Sequence, residues 1–85
     1  MDDITVITTK YVIEEGSPIV SVFKDTEGEW QFFGNEKNII EKDARVVGLS
    51  EILKMDFSIK KLLSMKNGTH AWRTDFNKEW EVEEY

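Results

Sequence analysis

The chain of 85 residues contains no cysteine, a single proline and a single histidine. Without cysteine it can form neither a disulfide framework nor a thiolate metal site, and it has no thiol nucleophile. A serine triad would need His70 beside both a serine and a buried carboxylate, and a zinc site would need three carboxylates around it. The five glycines stand singly, so no glycine-rich phosphate loop is present. These absences predict a protein that is not an enzyme and that uses no metal or cofactor.

Positive charge is also scarce, because 11 lysines and arginines stand against 17 aspartates and glutamates, which gives a net charge of −6. Proteins bind nucleic acids and anionic membranes by displaying cations, so neither class of partner is expected. No apolar run approaches the roughly 20 residues that span a bilayer. Residues 1–4 carry acid where a secretory signal carries lysine or arginine. We therefore expect a cytoplasmic protein.

Hydrophobic residues make up 40% and charged residues 33% of the sequence, a composition typical of globular chains. The length allows one folded unit, so residues 1–85 are predicted to form a single domain. The first half is rich in β-branched and aromatic residues. It predicts strands over residues 4–13, 18–24, 29–33 and 44–48.

The second and third of these strands are predicted to form a hairpin. Residues 25–28 (DTEG) have the aspartate and glycine that a type I turn prefers at its first and fourth positions. The resulting register pairs Val22 with Phe32 and Phe23 with Gln31. Bulky apolar side chains then lie on both faces of the hairpin. We expect such a hairpin to be central in the sheet, or to meet a partner outside the domain.

Residues 49–65 are predicted to form two short helices that break at Asp56. Ser50 suits the N-cap of the first helix, and Asp56 suits the N-cap of the second. In the second helix, Ile59 and Leu62 repeat at helical spacing.

The last segment, residues 69–83, is predicted to form another hairpin around a loop at residues 76–78. The preferred register sets Trp72 opposite Val82, because it collects Trp72, Trp80 and Val82 on one face. The whole chain is therefore predicted to be an α+β fold. Its small antiparallel or mixed sheet has about five or six strands, and two short helices follow the central strands.

Two features of the sequence indicate binding. The first is its aromatic side chains, which are enriched at protein interfaces; Trp30, Phe32 and Trp72 are assigned to the core. The second is the acid surplus, which attracts cationic proteins such as a nuclease that must itself be basic. The residues expected to contact a partner are Phe23, Phe33, Trp80, Glu27, Glu29, Glu81 and Glu83.

Three segments carry a resemblance to a known family: residues 28–32 (GEWQF), 43–53 (DARVVGLSEIL) and 70–73 (HAWR). Together they resemble a small bacterial domain family of unknown function, whose members resemble an immunity-protein class, the thirty-third type, of polymorphic toxin systems. The resemblance spans residues 12–80, and the family has no assigned catalytic residue to carry over. It implies a cytoplasmic protein that occludes a toxin without turnover.

Three functions are open at this point. The leading hypothesis is a protein-binding domain, an immunity-type inhibitor that occludes a basic toxin partner. The alternative is a housekeeping domain that binds a small molecule or carbohydrate on an aromatic platform built from Trp72 and Trp80. The third, an enzyme that uses His70 with Glu81 or Glu83, ranks last.

Overall fold

The computed structural model describes residues 3–85, so the first two residues of the acidic start lie outside the described range. Its strands are β1 (Thr5–Thr9), β2 (Ser21–Lys24), β3 (Trp30–Phe33), β4 (Ala44–Gly48), β5 (Thr69–Trp72) and β6 (Glu81–Glu84). They form one sheet in the order β4-β1-β3-β2-β5-β6, in which β1 and β3 run parallel and the other neighbours run antiparallel. The predicted small α+β fold is confirmed, and its six-stranded sheet is mixed.

The helices of the described residues bury most of their apolar side chains against one face of this sheet, and Met55 and Phe57 are the large apolar helix residues that stay exposed. They are α1 (Lys10–Glu15), α2 (Leu49–Met55) and two 3₁₀ helices, Glu41–Asp43 and Phe57–Leu62. The core joins strand residues to helix residues: Val6, Val22, Trp30, Phe32 and Ala71 meet Val12, Leu49, Ile52, Ile59 and Leu62. Each fully buried side chain of this kind stabilises the fold by about 1.5–3 kcal/mol. Trp30 and Phe32 are buried as predicted.

The hairpin of β2 and β3 has the predicted register, with Val22 opposite Phe32 and Phe23 opposite Gln31. Its turn closes where Gly28 N donates to Asp25 O at 2.9 Å, and the Asp25 carboxylate accepts from the backbone N–H of Glu27 and Glu29. The hairpin occupies the two middle positions of the sheet. The prediction of a central position is therefore confirmed.

The predicted strand over residues 4–13 is wrong in its second half, which forms α1. Thr9 caps this helix, since its Oγ1 accepts a hydrogen bond from Val12 N at 3.3 Å. Gly16 ends the helix in the left-handed conformation, with φ of 73°, which glycine adopts without steric cost. The two caps and the burial of Val12 override the weak strand preference of the β-branched residues in this segment.

Asp56 separates the two helices after β4, as predicted. The N-cap of the first helix differs from the prediction, and the N-cap of the second agrees with it. Gly48 occupies the N-cap of α2, and Ser50 lies inside the helix. The Asp3 carboxylate accepts hydrogen bonds from Ser50 N at 3.1 Å and from Ser50 Oγ at 2.6 Å, so a distant residue supplies the cap. Asp56 is the N-cap of the second helix, which is a 3₁₀ helix that ends at Leu62.

The predicted register of the last hairpin is wrong by one residue. Trp72 pairs with Glu81 and Ala71 pairs with Val82, so Trp72 and Val82 point to opposite faces. The connection is longer than predicted, because residues 73–80 lie between the two strands. Arg73 is the first residue of this connection, and its side chain is held on the helix side by contacts with Ile19 and Asp56.

Arg73 is almost completely buried, with 6% of its surface exposed. Its guanidinium pairs with the carboxylate of Asp56, which is equally buried. The same group donates to Ile19 O at 2.7 and 3.1 Å and to Phe76 O at 3.3 Å, and it lies 4.0 Å from the ring centre of Trp80. This buried ion pair joins the end of β5 to the start of the second 3₁₀ helix.

Candidate functional site

The sheet face opposite the helices is the candidate site, and we call it the open face. Strand register places one row of side chains across it, because Ile7 pairs with Gln31, Gln31 with Phe23, Phe23 with His70 and His70 with Glu83. The face includes Ile7, Ser21, Phe23, Gln31, Phe33, Val46, His70, Trp72, Glu81 and Glu83. An antiparallel sheet with one face on the core usually presents polar side chains on the other face. Here aromatic rings take that place.

The aromatic rings on the open face contact one another. Phe23 stacks on His70 with 4.0 Å between ring centres and 6° between planes, and His70 lies 5.6 Å from Trp72. Phe33 meets Phe23 edge to face at 6.1 Å, and Tyr85 does so at 5.5 Å. The first four rings are half-buried, while Tyr85 is 60% exposed. Rings fixed by mutual packing lose little conformational entropy when a partner covers them. We call these five rings the aromatic cluster.

His70 contributes the imidazole of this cluster. Its Nε2 lies 2.8 Å from Ser21 Oγ, and burial lowers the pKa of the imidazole while the negative charge of Glu83 opposes that shift. The serine and histidine of a triad are thus in contact. However, the side chain of His70 bonds to no carboxylate among the described residues, and Glu83 is exposed. The backbone N–H groups of β2 and β5 are engaged in the sheet, so none is aimed at this face to stabilise an oxyanion.

Lowering the pH from about 7.5 to about 5.5 is expected to reduce the free energy of unfolding through His70. The pKa of His70 is depressed in the fold, so the unfolded chain binds the proton more readily. The contribution of His70 to the free energy of unfolding is fully present above the ordinary histidine pKa of 6.5. It is lost as the pH falls toward the pKa that His70 has in the folded chain. Hydrogen bonds from the backbone N–H of Ile40 and from the Ser50 hydroxyl lower the pKa of Asp43 and Asp3, which respond only at more acidic pH.

Urea denaturation at both pH values measures this effect, with His70→Gln as the control. The variant should show a smaller change of the unfolding midpoint with pH than the parent chain. An equal change in both proteins would contradict the assignment to His70.

The open face holds four of the seven residues predicted to contact a partner: Phe23, Phe33, Glu81 and Glu83. Glu29 precedes β3 in phase with Gln31 and continues the face at one end, while Glu27 lies at the exposed tip of the hairpin turn. Trp80 lies apart from them. Its ring packs on Arg73 on the helix side, and its Nε1 donates to Ser58 Oγ at 3.1 Å. Trp72 and Trp80 therefore form no common platform.

Three residues of the aromatic cluster were not among the predicted contact residues: His70, Tyr85 and Trp72, the last of which was assigned to the core. Trp72 is half-buried on the open face, where it lies opposite Ser21 of β2. Alternation along β5 places His70 and Trp72 on the same face of the sheet. The pairing of β5 with β2, which places His70 beside Phe23 and Trp72 beside Ser21, has no local signal in the sequence.

Residues 3–85 contain neither a metal-binding group of side chains nor a membrane-spanning helix. No group of three or more histidine, aspartate or glutamate side chains in this range is arranged to hold a metal ion. No helix in the same range has the length and hydropathy needed to cross a bilayer.

Comparisons of the chain with protein-family models, with curated proteins and with solved structures gave no match. The resemblance to the immunity-protein class therefore stays a prediction.

Proposed function

We propose that this chain is a cytoplasmic protein-binding domain that holds a basic partner on its open face, and that it acts as an immunity-type inhibitor of a basic toxin domain. The observation that carries the proposal is the aromatic cluster, which lies uncovered by the helices beside Glu81 and Glu83. The three-segment resemblance agrees with this function.

The aromatic cluster supplies the apolar centre that a protein interface needs. Tryptophan and tyrosine are enriched among the residues whose truncation costs most binding energy, and such residues lie near the middle of the interface. Phe23, His70 and Trp72 occupy adjacent strands and present a continuous apolar surface. Ile7, 37% exposed, and Val46, 68% exposed, extend this surface toward the other edge of the sheet.

The charge of the chain selects the partner. Glu81 and Glu83 lie on the open face and are exposed, and the whole chain carries a net charge of −6. A negative surface accelerates the approach of a cationic protein and disfavours an anionic one. A second copy of this chain is anionic too, so the charges disfavour self-association. A toxin that acts on nucleic acid must display cations and satisfies this requirement.

Inhibition in this proposal needs no chemistry from the chain. A domain that covers the cationic surface of a toxin blocks access of its substrate, one inhibitor for each toxin molecule. Engagement of the β2 and β5 backbone N–H groups in the sheet is compatible with this mode of action.

The test is co-purification of the tagged chain from its native cells at low and high salt, with two double variants. Glu81→Lys/Glu83→Lys reverses charge on the open face. Glu15→Lys/Glu51→Lys makes the same change in net charge on α1 and α2, where both side chains are exposed. We expect a basic protein to be captured at low salt by the parent chain and by the helix variant, and to be lost with the open-face variant.

The captured protein must also lose its activity when an equimolar amount of the chain is added. The assignment of the partner to the open face would be refuted if both double variants captured the partner equally well. It would also be refuted if capture did not depend on salt.

A further inference from the structure

The outer edge of β6 is unpaired among the described strands, since β6 is the last strand of the sheet order. Tyr85 N donates to Gly68 O at 2.9 Å, which fixes the phase of the ladder between β5 and β6. In an antiparallel pair the hydrogen-bonded residues alternate, so Glu81 and Glu83 bond inward to β5. The N–H and C=O groups of Val82 and Glu84 therefore point away from the sheet.

A groove of about 510 Å³ runs along the helix side of the same strand. Leu62 and Met65 form its apolar floor, and Val82, which is 53% exposed, forms part of its wall. Its lining also includes charged residues of both signs, namely Lys61, Lys66, Glu83 and Glu84. An apolar side chain that enters from the edge of the sheet would contact Leu62, Met65 and Val82 together.

We propose that β6 is a docking edge at which a cationic partner adds an antiparallel β-strand to this sheet. The added strand bonds to the outward groups of Val82 and Glu84. Its residue opposite Val82 is apolar and faces the groove. Its neighbours opposite Glu81 and Glu83 are lysine or arginine and lie on the open face. The inference rests on the proposed function in one respect, since it assigns a binding mode to the same basic partner.

Charge identifies the occupant as a cationic strand rather than a second copy of this chain. Three of the four residues of β6 are glutamates. If two copies of β6 paired antiparallel around Val82, Glu81 of each would face Glu83 of the other, and like charges directly opposite are destabilising. Lysine or arginine at those two positions reverses the sign of both interactions. Strand addition at an exposed edge is a recurrent mode of peptide recognition, in which pockets for alternate side chains set specificity.

The probe is an end-capped six-residue peptide of alternating lysine and valine, and its control replaces lysine with glutamate. Backbone amide exchange is followed by NMR on the full chain. With saturating lysine peptide, we expect exchange of the Val82 and Glu84 amides to slow by roughly tenfold or more. The glutamate peptide should leave both amides unchanged.

Two variants at one position test the backbone contact. Val82→Pro removes the outward N–H and leaves the inward bonds of Glu81 and Glu83 in place, and an edge strand tolerates proline. Val82→Thr keeps the N–H and a β-branched side chain. We expect the lysine peptide to bind roughly tenfold more weakly to the proline variant and within about twofold of the parent for the threonine variant. Unchanged exchange in β2 and β3 verifies that both variants are folded.

The outcomes separate this inference from the proposed function. If the lysine peptide slows no amide of β6, or binds the proline variant as tightly as the parent, strand addition is refuted. If the peptide shifts only the ring signals of Phe23 and Trp72, strand addition fails and binding on the open face stands. If the peptide protects the Val82 and Glu84 amides from exchange, but the Glu81→Lys/Glu83→Lys variant captures the partner as well as the parent chain does, the proposed function fails instead.

Discussion

Replacing Asp56 with alanine is expected to lower the free energy of unfolding by about 3–5 kcal/mol. The reason is the guanidinium of Arg73, which would remain buried without a counter-charge and lose one of its hydrogen-bond acceptors. Asp56 also caps the second 3₁₀ helix by accepting from Ser58 N at 3.0 Å, and loss of this cap adds to the effect. Urea denaturation followed by tryptophan fluorescence measures the change.

A matched control is the exposed ion pair between Arg45 and Glu14, whose charged atoms lie 2.7 Å apart. Glu14→Ala should cost less than about 1 kcal/mol, because solvent screens this pair. The double variant Asp56→Ala/Arg73→Met should be more stable than Asp56→Ala alone, since it removes the orphaned buried charge. Equal losses for Glu14→Ala and Asp56→Ala would show that burial of the pair is not what stabilises this junction.

The pairing of Arg73 with Asp56 combines a feature that local sequence predicts, the cap at Asp56, with one that it does not, the burial of Arg73. Asp56 was recognised as an N-cap because capping depends on its immediate neighbours. Arg73 stands in a charged stretch, and its burial depends on the tertiary position of Asp56, Ile19 and Trp80. No periodicity in residues 69–83 signals a buried cation, so the predicted register placed Arg73 on the hairpin and shifted the strand by one residue.

Local turn chemistry, by contrast, was sufficient for the central hairpin. The aspartate and glycine of residues 25–28 fix the turn, and the turn fixes every pair from Ser21 with Phe33 to Lys24 with Trp30. The strand over residues 44–48 and the helix break at Asp56 were also predicted from local signals. The segment at residues 10–15 was not, because its β-branched residues favour a strand while the caps at Thr9 and Gly16 favour a helix.

The candidate site also has a part that local sequence predicts and a part that depends on the tertiary structure. The turn register, together with alternation along each strand, places Phe23 and Phe33 on one hairpin face, and both signals are local. The site is completed by the pairing of β2 with β5 and of β5 with β6, which brings His70, Trp72 and Glu83 to the same face. Strands β2 and β5 are far apart in sequence, so only the folded sheet reveals that the aromatic residues form one cluster.

A chain of this size also explains why one face of the sheet carries no helix. Chains of about this length bury only about 60% of the surface they expose when unfolded. The described helices are short, from three to seven residues, and most of their apolar side chains pack into the core on one face, although Met55 and Phe57 are exposed. The aromatic residues of the other face therefore cover one another, which leaves them available to a partner.

Replacing Trp72 with alanine is expected to weaken binding of the captured basic partner by roughly 30-fold or more, the effect of a central interface residue worth about 2 kcal/mol. The stability of the isolated chain should change much less than with Asp56→Ala, because Trp72 is only half-buried. Titration of the purified partner, monitored by calorimetry, measures the affinity, and urea denaturation measures the stability.

Phe33 and Phe32 provide the sharpest control, because they are adjacent in β3 and point to opposite faces. Phe32 is fully buried among the core residues, and Phe33 contacts Phe23 on the open face. Phe32→Leu should lower the free energy of unfolding by about 1–1.5 kcal/mol and leave the affinity of the folded chain unchanged. Phe33→Leu should weaken binding of the partner and leave the free energy of unfolding nearly unchanged. It removes a ring from the open face but little packing from the core. If Phe32→Leu weakened binding as much as Phe33→Leu, the partner would not be held by the open face.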